Sequence, residues 1–99
     1  MVHHIVCWNF KEGMTAEEKQ QAGEIIKQKL EEIKPHAHGA VSIEVKRNEL
    51  ASSNRDLALL SVFETVEDLN GYQVHPMHVE AGKYIKSVTC DRTCFDYEE

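Results

Sequence analysis

The amino-acid sequence predicts a single α+β domain whose elements follow the order β-α-β-β-α-β. Four runs rich in β-branched and aromatic residues are typical of strands, and two segments with helix-capping signals lie between them. The 99 residues fit one domain, residues 1–99, and no connection is long enough to divide it.

The first strand is predicted over residues 2–10, with apolar side chains on both of its faces. One face presents Val6, Trp8 and Phe10, and the other presents Ile5 and Cys7. A strand that is apolar on both faces is normally covered on both faces. We therefore expect something to pack on each side of this strand.

The first helix begins at a capping box, in which Thr15 and Glu18 can satisfy each other's free N–H groups. Met14 precedes the cap and can act as a hydrophobic staple. Pro35 is expected to end the helix. Between these limits the apolar residues recur at helical spacing and form one stripe: Ala22, Ile25, Ile26, Leu30 and Ile33.

Two further strands are predicted over residues 40–47 and 56–63, separated by a polar loop. In the first of them, apolar residues at 41, 43 and 45 alternate with polar ones. This pattern predicts a strand with one solvent-exposed face, placed near an edge of the sheet. The second is apolar at nearly every position, which is typical of a central strand.

A second cap at Thr65 opens a short helix that carries Val66, Leu69 and Tyr72. The dipeptide His75-Pro76 then interrupts it, because proline disfavours helical geometry in the residue before it but suits the first position of a new helix. The new helix is expected over about residues 76–86, with Val79 and Tyr84 on its apolar side. The last strand follows over residues 87–97.

Right-handed crossovers would arrange these elements as a four-stranded antiparallel sheet with both helices on one face, which is the ferredoxin-like arrangement. The helices then leave the other face uncovered, although the first strand is apolar there too. Because no remaining segment of the chain can cover this face, the simplest solution is a second copy that packs its sheet against it. We therefore predict a homodimer with Ile5 and Cys7 toward the partner.

Composition excludes several classes of partner. The chain has 17 acidic and 11 basic residues, a formal charge of −6 and no basic stripe, so neither nucleic acid nor an anionic membrane is an expected partner. Apolar runs fall far short of the roughly 20 residues that span a bilayer. We expect no secretory signal, and the three cysteines then favour reduced thiols in the cytoplasm. Cys90 and Cys94 are expected on one face of the last strand, too far apart to bridge.

The candidate chemistry centres on His78, in the first turn after Pro76. The dipole at a helix start disfavours an imidazolium, and a neutral imidazole is what a general base requires. Tyr72 lies just before the break and could bring a phenol beside that imidazole, as proton removal next to a carbonyl needs. The alternative is that both residues only pack between helices.

A pocket is expected to form if His4 points toward the helices on the face of Val6 and Trp8. His75, beside the break, is expected to line it. We predict no metal and no cofactor. His3 and His4 point to opposite faces of the strand, so they cannot bind one metal ion together. A site made of His4, His78 and a carboxylate is conceivable, but their spacing does not match a metal-binding motif.

Several segments of the chain resemble the stress-responsive A/B barrel (Dabb) family over essentially its whole length. The most specific block is Tyr72 to Val79, with its HPMH motif. The more permissive ones are His4 to Lys11, Asp56 to Leu59 with Phe63 to Thr65, and Phe95 to Tyr97. The resemblance implies a dimeric α/β barrel built from two ferredoxin-like subunits.

The family's functions are mixed, and they include plant stress proteins and a plant polyketide cyclase. The cyclase uses a His/Tyr pair in an apolar pocket, and Tyr72 and His78 match that pair as catalytic residues. His4 matches its pocket histidine on the first strand. Leu57 stands where the cyclase has a further pocket histidine. This difference argues against the substrate of the cyclase but leaves the His/Tyr pair intact.

Three functions are compatible with this resemblance. The first is a stress-related or binding protein with a pocket for a small apolar or aromatic ligand and no assigned reaction. The second is a cofactor-independent cyclase or isomerase, and the third is a cofactor-free monooxygenase. The sequence leaves open whether the protein is an enzyme.

Overall fold

The computed structural model describes residues 1–99 and shows a four-stranded antiparallel sheet with three helices. The strands are β1 (Val2–Phe10), β2 (Ala40–Arg47), β3 (Leu57–Phe63) and β4 (Thr89–Glu98). The helices are α1 (Ala16–Glu31), α2 (Val66–Val74) and α3 (Pro76–Val88). The strand order is β2-β3-β1-β4, so β1 and β3 are central. The predicted ferredoxin-like arrangement is confirmed.

The helix starts follow from the capping residues. The Thr15 hydroxyl accepts from the Glu18 N–H, and the Glu18 carboxylate accepts from the Thr15 N–H, which completes the predicted capping box. Thr65 caps α2 in the same way through the Asp68 N–H. None of the helices has the length and apolar character that a membrane crossing needs.

The core lies between the helices and one face of the sheet. Alternate residues of β1, from Val2 to Phe10, are buried on the face that the helices cover. The fully buried apolar side chains that meet them include Ile26, Leu30, Ile33, Leu57, Leu59, Phe63 and Tyr72. α1 is tied to β2 by polar contacts as well, because Glu31 accepts from the Val45 N–H while Lys27 donates to the Val45 carbonyl.

The opposite face of the sheet carries no helix and is apolar at its centre. We call it the helix-free face, and it presents Ile5, Cys7, Ala58, Leu60, Val62, Phe95 and Tyr97. Leu60 is 41% and Phe95 is 65% exposed. His3 stacks on Tyr97 across the strands, with ring centroids 4.4 Å apart. Large exposed apolar patches are typical of surfaces that pack against another molecule.

Several boundaries and faces differ from the prediction. α1 ends at Glu31, and Pro35 lies in a separate 3₁₀ turn, Lys34–His36. α3 runs on to Val88, over residues expected to begin the last strand. Three residues expected on buried faces are exposed instead, namely Ile25, Val41 and Val79.

Each exposed residue has a local cause. A register shift between Ala40 and Ser42 leaves Val41 without a partner on β3 and exposed, whereas Ile43 and Val45 of β2 are buried in the core. In α3 the buried residues are Ala81 and Ile85, and Val79 lies roughly 160° around the helix from Ala81, on the exposed side. In α1 the buried set is Ala22, Gly23, Ile26 and Leu30, and Ile25 lies beside it.

A bulge in β4 overturns the expected placement of its cysteines. Cys90 pairs with Asn9 and Thr93 pairs with Cys7, so Asp91 and Arg92 together stand opposite the single residue Trp8. Asp91 has a φ of 54°, in the left-handed region. The extra residue inverts the alternation, so Cys94 shares the face of the helices while Cys90 does not.

Candidate functional site

Tyr72, in the last turn of α2, points into the interior beneath the helices and is 1% exposed. Its ring contacts Phe63 at a centroid distance of 4.9 Å and meets the edge of His4 at 6.4 Å. The buried hydroxyl has no hydrogen-bond partner among the protein's own groups. Burial raises the pKa of this phenol well above its usual range, so the hydroxyl stays protonated and remains a donor.

His78 lies against this phenol, with ring centroids 4.5 Å apart and the ring planes inclined at 58°. Its Nδ1 is 3.0 Å from the Gln73 carbonyl oxygen. Because a carbonyl oxygen only accepts, Nδ1 carries the proton, and Nε2 keeps its lone pair when the ring is neutral.

The surroundings keep this imidazole neutral. Burial lowers the pKa of His78, and positive charge on His4, Arg92 and His75 acts in the same direction. The hydrogen bond to the Gln73 carbonyl opposes this shift but does not reverse it. A half-buried, neutral imidazole with a free lone pair can accept a proton from a bound molecule.

The break between α2 and α3 brings the two rings together. α2 ends at Val74 and α3 begins at Pro76, with His75 in an extended conformation between them. The His75 Nδ1 accepts from the Met77 N–H at 3.1 Å, so its side chain caps α3. The helix start then carries His78 in its first turn, as the sequence predicted.

His4 completes this cluster from the sheet. It is 1% exposed and faces the helices, as predicted from its parity on β1. Its Nδ1 is 2.6 Å from the carboxylate of Asp96, its direct partner on β4, so the imidazole donates to that oxygen. We call His4, Tyr72 and His78 the His-Tyr cluster.

Other predicted pocket residues lie elsewhere. Trp8 and Leu57 are cross-strand partners, both buried in the core. They are four residues from the His4–Ser61 pair, a distance of roughly 13 Å along the strands. His75 adjoins the cluster through its place before α3, with its Nδ1 engaged in the cap.

Two surface depressions lie away from the His-Tyr cluster. One, of about 580 Å³, lies against the loop between β2 and β3 and includes Cys7, Leu57 and Ala58. The other, of about 320 Å³, lies between α1 and α3 and includes Lys29 and Met77. Neither includes a member of the cluster, which borders instead on the exposed residues Cys94 and Asp96 of β4.

Sequence reasoning missed Cys94 and Asp96 because the bulge places them. Strict alternation from Cys90 would turn both side chains to the helix-free face. The polar pair Asp91-Arg92, in the middle of a strand run, is the sequence signal that could have indicated an interruption.

Comparison with known proteins agrees with this fold. The family model of the stress responsive A/B barrel domain matches residues 2–99. A dimeric protein of unknown function with a ferredoxin-like fold from Bacteroides fragilis is 32% identical, with a TM-score of 0.91 over 99% of this chain and 95% of that one. None of the curated proteins matches.

Two more distant structures share the fold. A dimeric ferredoxin-like protein of unknown function from Thermobifida fusca is 20% identical, with a TM-score of 0.79 over 99% of this chain and 90% of that one. A Dabb family protein with a ferredoxin-like fold from Mesorhizobium loti is 17% identical, with a TM-score of 0.72 over 99% of this chain and 95% of that one. The family model covers nearly every residue, and the chain therefore belongs to the stress responsive A/B barrel domain family.

Proposed function

We propose that the protein is a homodimer that binds a small apolar or aromatic molecule, through an acceptor oxygen of that molecule, at the His-Tyr cluster. The observation that carries this proposal is the buried Tyr72 hydroxyl, which no group of the protein satisfies. A buried donor left unsatisfied costs about 1–3 kcal/mol, and a carbonyl or phenolic oxygen of a ligand would recover that cost.

The surroundings of Tyr72 favour the apolar character of this molecule. Phe63 packs on the tyrosine ring, and His78 is half-buried and kept neutral beside it. Such a site offers apolar area and few polar groups, which is the usual composition of a small-molecule site. We place the entrance on the β4 side, because Cys94 and Asp96, which adjoin His4, are exposed there.

The homodimer is supported by the helix-free face and by the dimeric relatives. Leu60 and Phe95 stand exposed at the centre of that face, where a second copy would bury them. The cytoplasm is the proposed location, because all three cysteines are free, as is usual in a reducing compartment.

A second candidate function is proton-transfer catalysis without a cofactor, which the neutral His78 favours. His78 Nε2 would take a proton from a carbon next to a carbonyl and become imidazolium. The electron pair left behind would pass to the carbonyl oxygen as an enolate, held by the Tyr72 hydroxyl. The enolate carbon could then attack a second carbonyl of the same molecule, with the proton returned from His78, which closes a ring.

Calorimetric binding of a panel of small aromatic ketones and β-keto compounds tests the proposal. Wild type should bind a member of the panel, and Tyr72→Phe should bind it roughly three- to tenfold more weakly, as the loss of one neutral hydrogen bond predicts. Tyr84→Phe, a half-buried tyrosine of α3, is the matched control and should bind like wild type. Equal affinity in Tyr72→Phe would refute the role given to the hydroxyl.

Turnover of the same panel separates binding from catalysis. If the second candidate holds, His78→Gln should keep binding and lose conversion, whereas a binding protein converts nothing in either form. Oxygen uptake during the assay would instead indicate oxidation, which neither candidate includes.

A further inference from the structure

We infer that His4, Cys94 and Asp96 form a binding site for a zinc-class divalent cation at the open side of β4. One ligand atom from each residue, an imidazole nitrogen, a sulfur and a carboxylate oxygen, lies within 4.8 Å of the other two. This inference goes beyond the proposed small-molecule function and does not depend on it, because it concerns the β1–β4 strand pair alone.

The strand pairing builds this site. His4 and Asp96 are direct partners in the antiparallel ladder, and Cys94 precedes Asp96 by two residues on the same face. The bulge at Asp91 is what turns both β4 residues toward His4. Bulges commonly re-aim side chains in this way, and a ligand set held on two paired strands is more rigid than one on loops.

The distances fit four-coordinate zinc. Cys94 Sγ is 3.8 Å from His4 Nδ1 and 3.5 Å from Asp96 Oδ1. Zinc bonds of 2.0–2.3 Å at tetrahedral angles separate neighbouring ligand atoms by roughly 3.3–3.6 Å. The third separation, 2.6 Å between His4 Nδ1 and Asp96 Oδ1, is that of a hydrogen bond. A cation would replace the proton of that bond. The carboxylate of Asp96 is exposed and can move away from His4 until the two atoms have the separation of zinc ligands.

The donor types also select the cation. Nitrogen, sulfur and oxygen together suit zinc, whereas magnesium and calcium prefer oxygen alone. A thiolate and a carboxylate would together balance the double charge of the ion. The positive charge of Arg92, two residues before Cys94, opposes a cation, but Arg92 is exposed and can turn into solvent. Three protein ligands leave the fourth position to water on the open side.

The test is titration of the full-length, chelator-treated protein with Zn²⁺ alone and then with Co²⁺ as a spectroscopic substitute. We expect one ion per chain and a thiolate-to-cobalt charge-transfer band. Cys94→Ser should abolish the band, and Cys94→Ser and Asp96→Asn should each weaken zinc binding by about a hundredfold, since loss of an outer-shell partner alone costs 10- to 100-fold. Both residues are exposed, so both variants should fold, whereas His4 is buried and a failure there would be uninformative.

Controls distinguish this site from adventitious binding. Cys90→Ser, on the other face of β4, should keep both the band and the affinity, and so should the double variant His36→Gln, His38→Gln in the exposed loop. Arg92→Ala should bind zinc at least as tightly as wild type. The inference is overturned if wild type takes up no zinc at micromolar concentration, if Cys94→Ser and Asp96→Asn bind like wild type, or if the loop variant loses the ion.

Discussion

The Tyr72 and His78 rings lie 4.5 Å apart although they belong to different helices, and the phenol hydroxyl between sheet and helices has no partner in the protein. The helix break at His75-Pro76 creates this relationship. A protein selected only for stability would gain by removing such a hydroxyl, so its presence is the strongest structural mark of function in the chain.

The first prediction concerns the stability of Tyr72→Phe. The substitution keeps the ring that packs on Phe63 and removes a buried, unsatisfied hydroxyl. The free energy of unfolding should therefore stay the same or rise by up to about 1 kcal/mol. Urea unfolding measures this. A loss of more than 1 kcal/mol would mean that the hydroxyl has a stabilising partner within the folded protein.

The second prediction concerns the response of the fold to acid. Because the pKa of His78 is lowered by burial and by the charges of His4, Arg92 and His75, the folded protein takes up this proton less readily than the unfolded chain. Stability should then fall as the pH drops below the ordinary histidine value of about 6.5, by no more than about 1.4 kcal/mol per pH unit for one proton.

His78→Gln should remove this part of the acid sensitivity. Urea unfolding of both proteins between pH 7.5 and pH 5 gives the comparison, and NMR titration of the His78 imidazole beside Tyr72 gives the pKa directly. An imidazole that titrates above 6.5 would contradict the arrangement described for the cluster.

The third prediction concerns the helix-free face. Leu60→Asp places a charge at its centre in both copies of the proposed dimer, and like charges brought together at an interface cost several kcal/mol. We expect the dimer to weaken at least a hundredfold in sedimentation velocity. Val74→Asp is the matched control, because Val74 is 75% exposed on α2, away from this face. A wild-type monomer at tens of micromolar would disprove the assembly.

The fourth prediction concerns the turn before β2. Gly39 has a φ of +75°, and a Cβ there would overlap the Asp68 carboxylate, whereas Gly13, with a φ of +87°, has open space around it. Gly13→Ala should cost about 1 kcal/mol from backbone strain alone. Gly39→Ala should cost about 2 kcal/mol more in thermal or urea unfolding, because Asp68 must also move. Equal losses would mean that the turn relaxes freely.

Local signals in the sequence were sufficient for much of the fold. The Thr15 capping box, the Thr65 cap and the proline at 76 each act within a few residues, so their effects could be predicted without knowledge of the tertiary structure. The parity of β1 likewise placed His4 under the helices beside Tyr72, because an unbroken strand alternates strictly.

The parts that sequence reasoning missed depend on strand register. One extra residue in β4 inverts the alternation, and this moves Cys94 and Asp96 to His4 and separates Cys94 from Cys90. The shift that exposes Val41 is of the same kind. Bulges are set by pairing with a neighbouring strand, so the pattern of one strand alone does not reveal them.

Intermolecular NOEs between a bound panel compound and isotope-labelled protein show directly whether the ligand lies at the His-Tyr cluster. We expect NOEs from the compound to the ring protons of Tyr72 and His78. NOEs confined to the loop between β2 and β3, where the 580 Å³ depression lies, would contradict it.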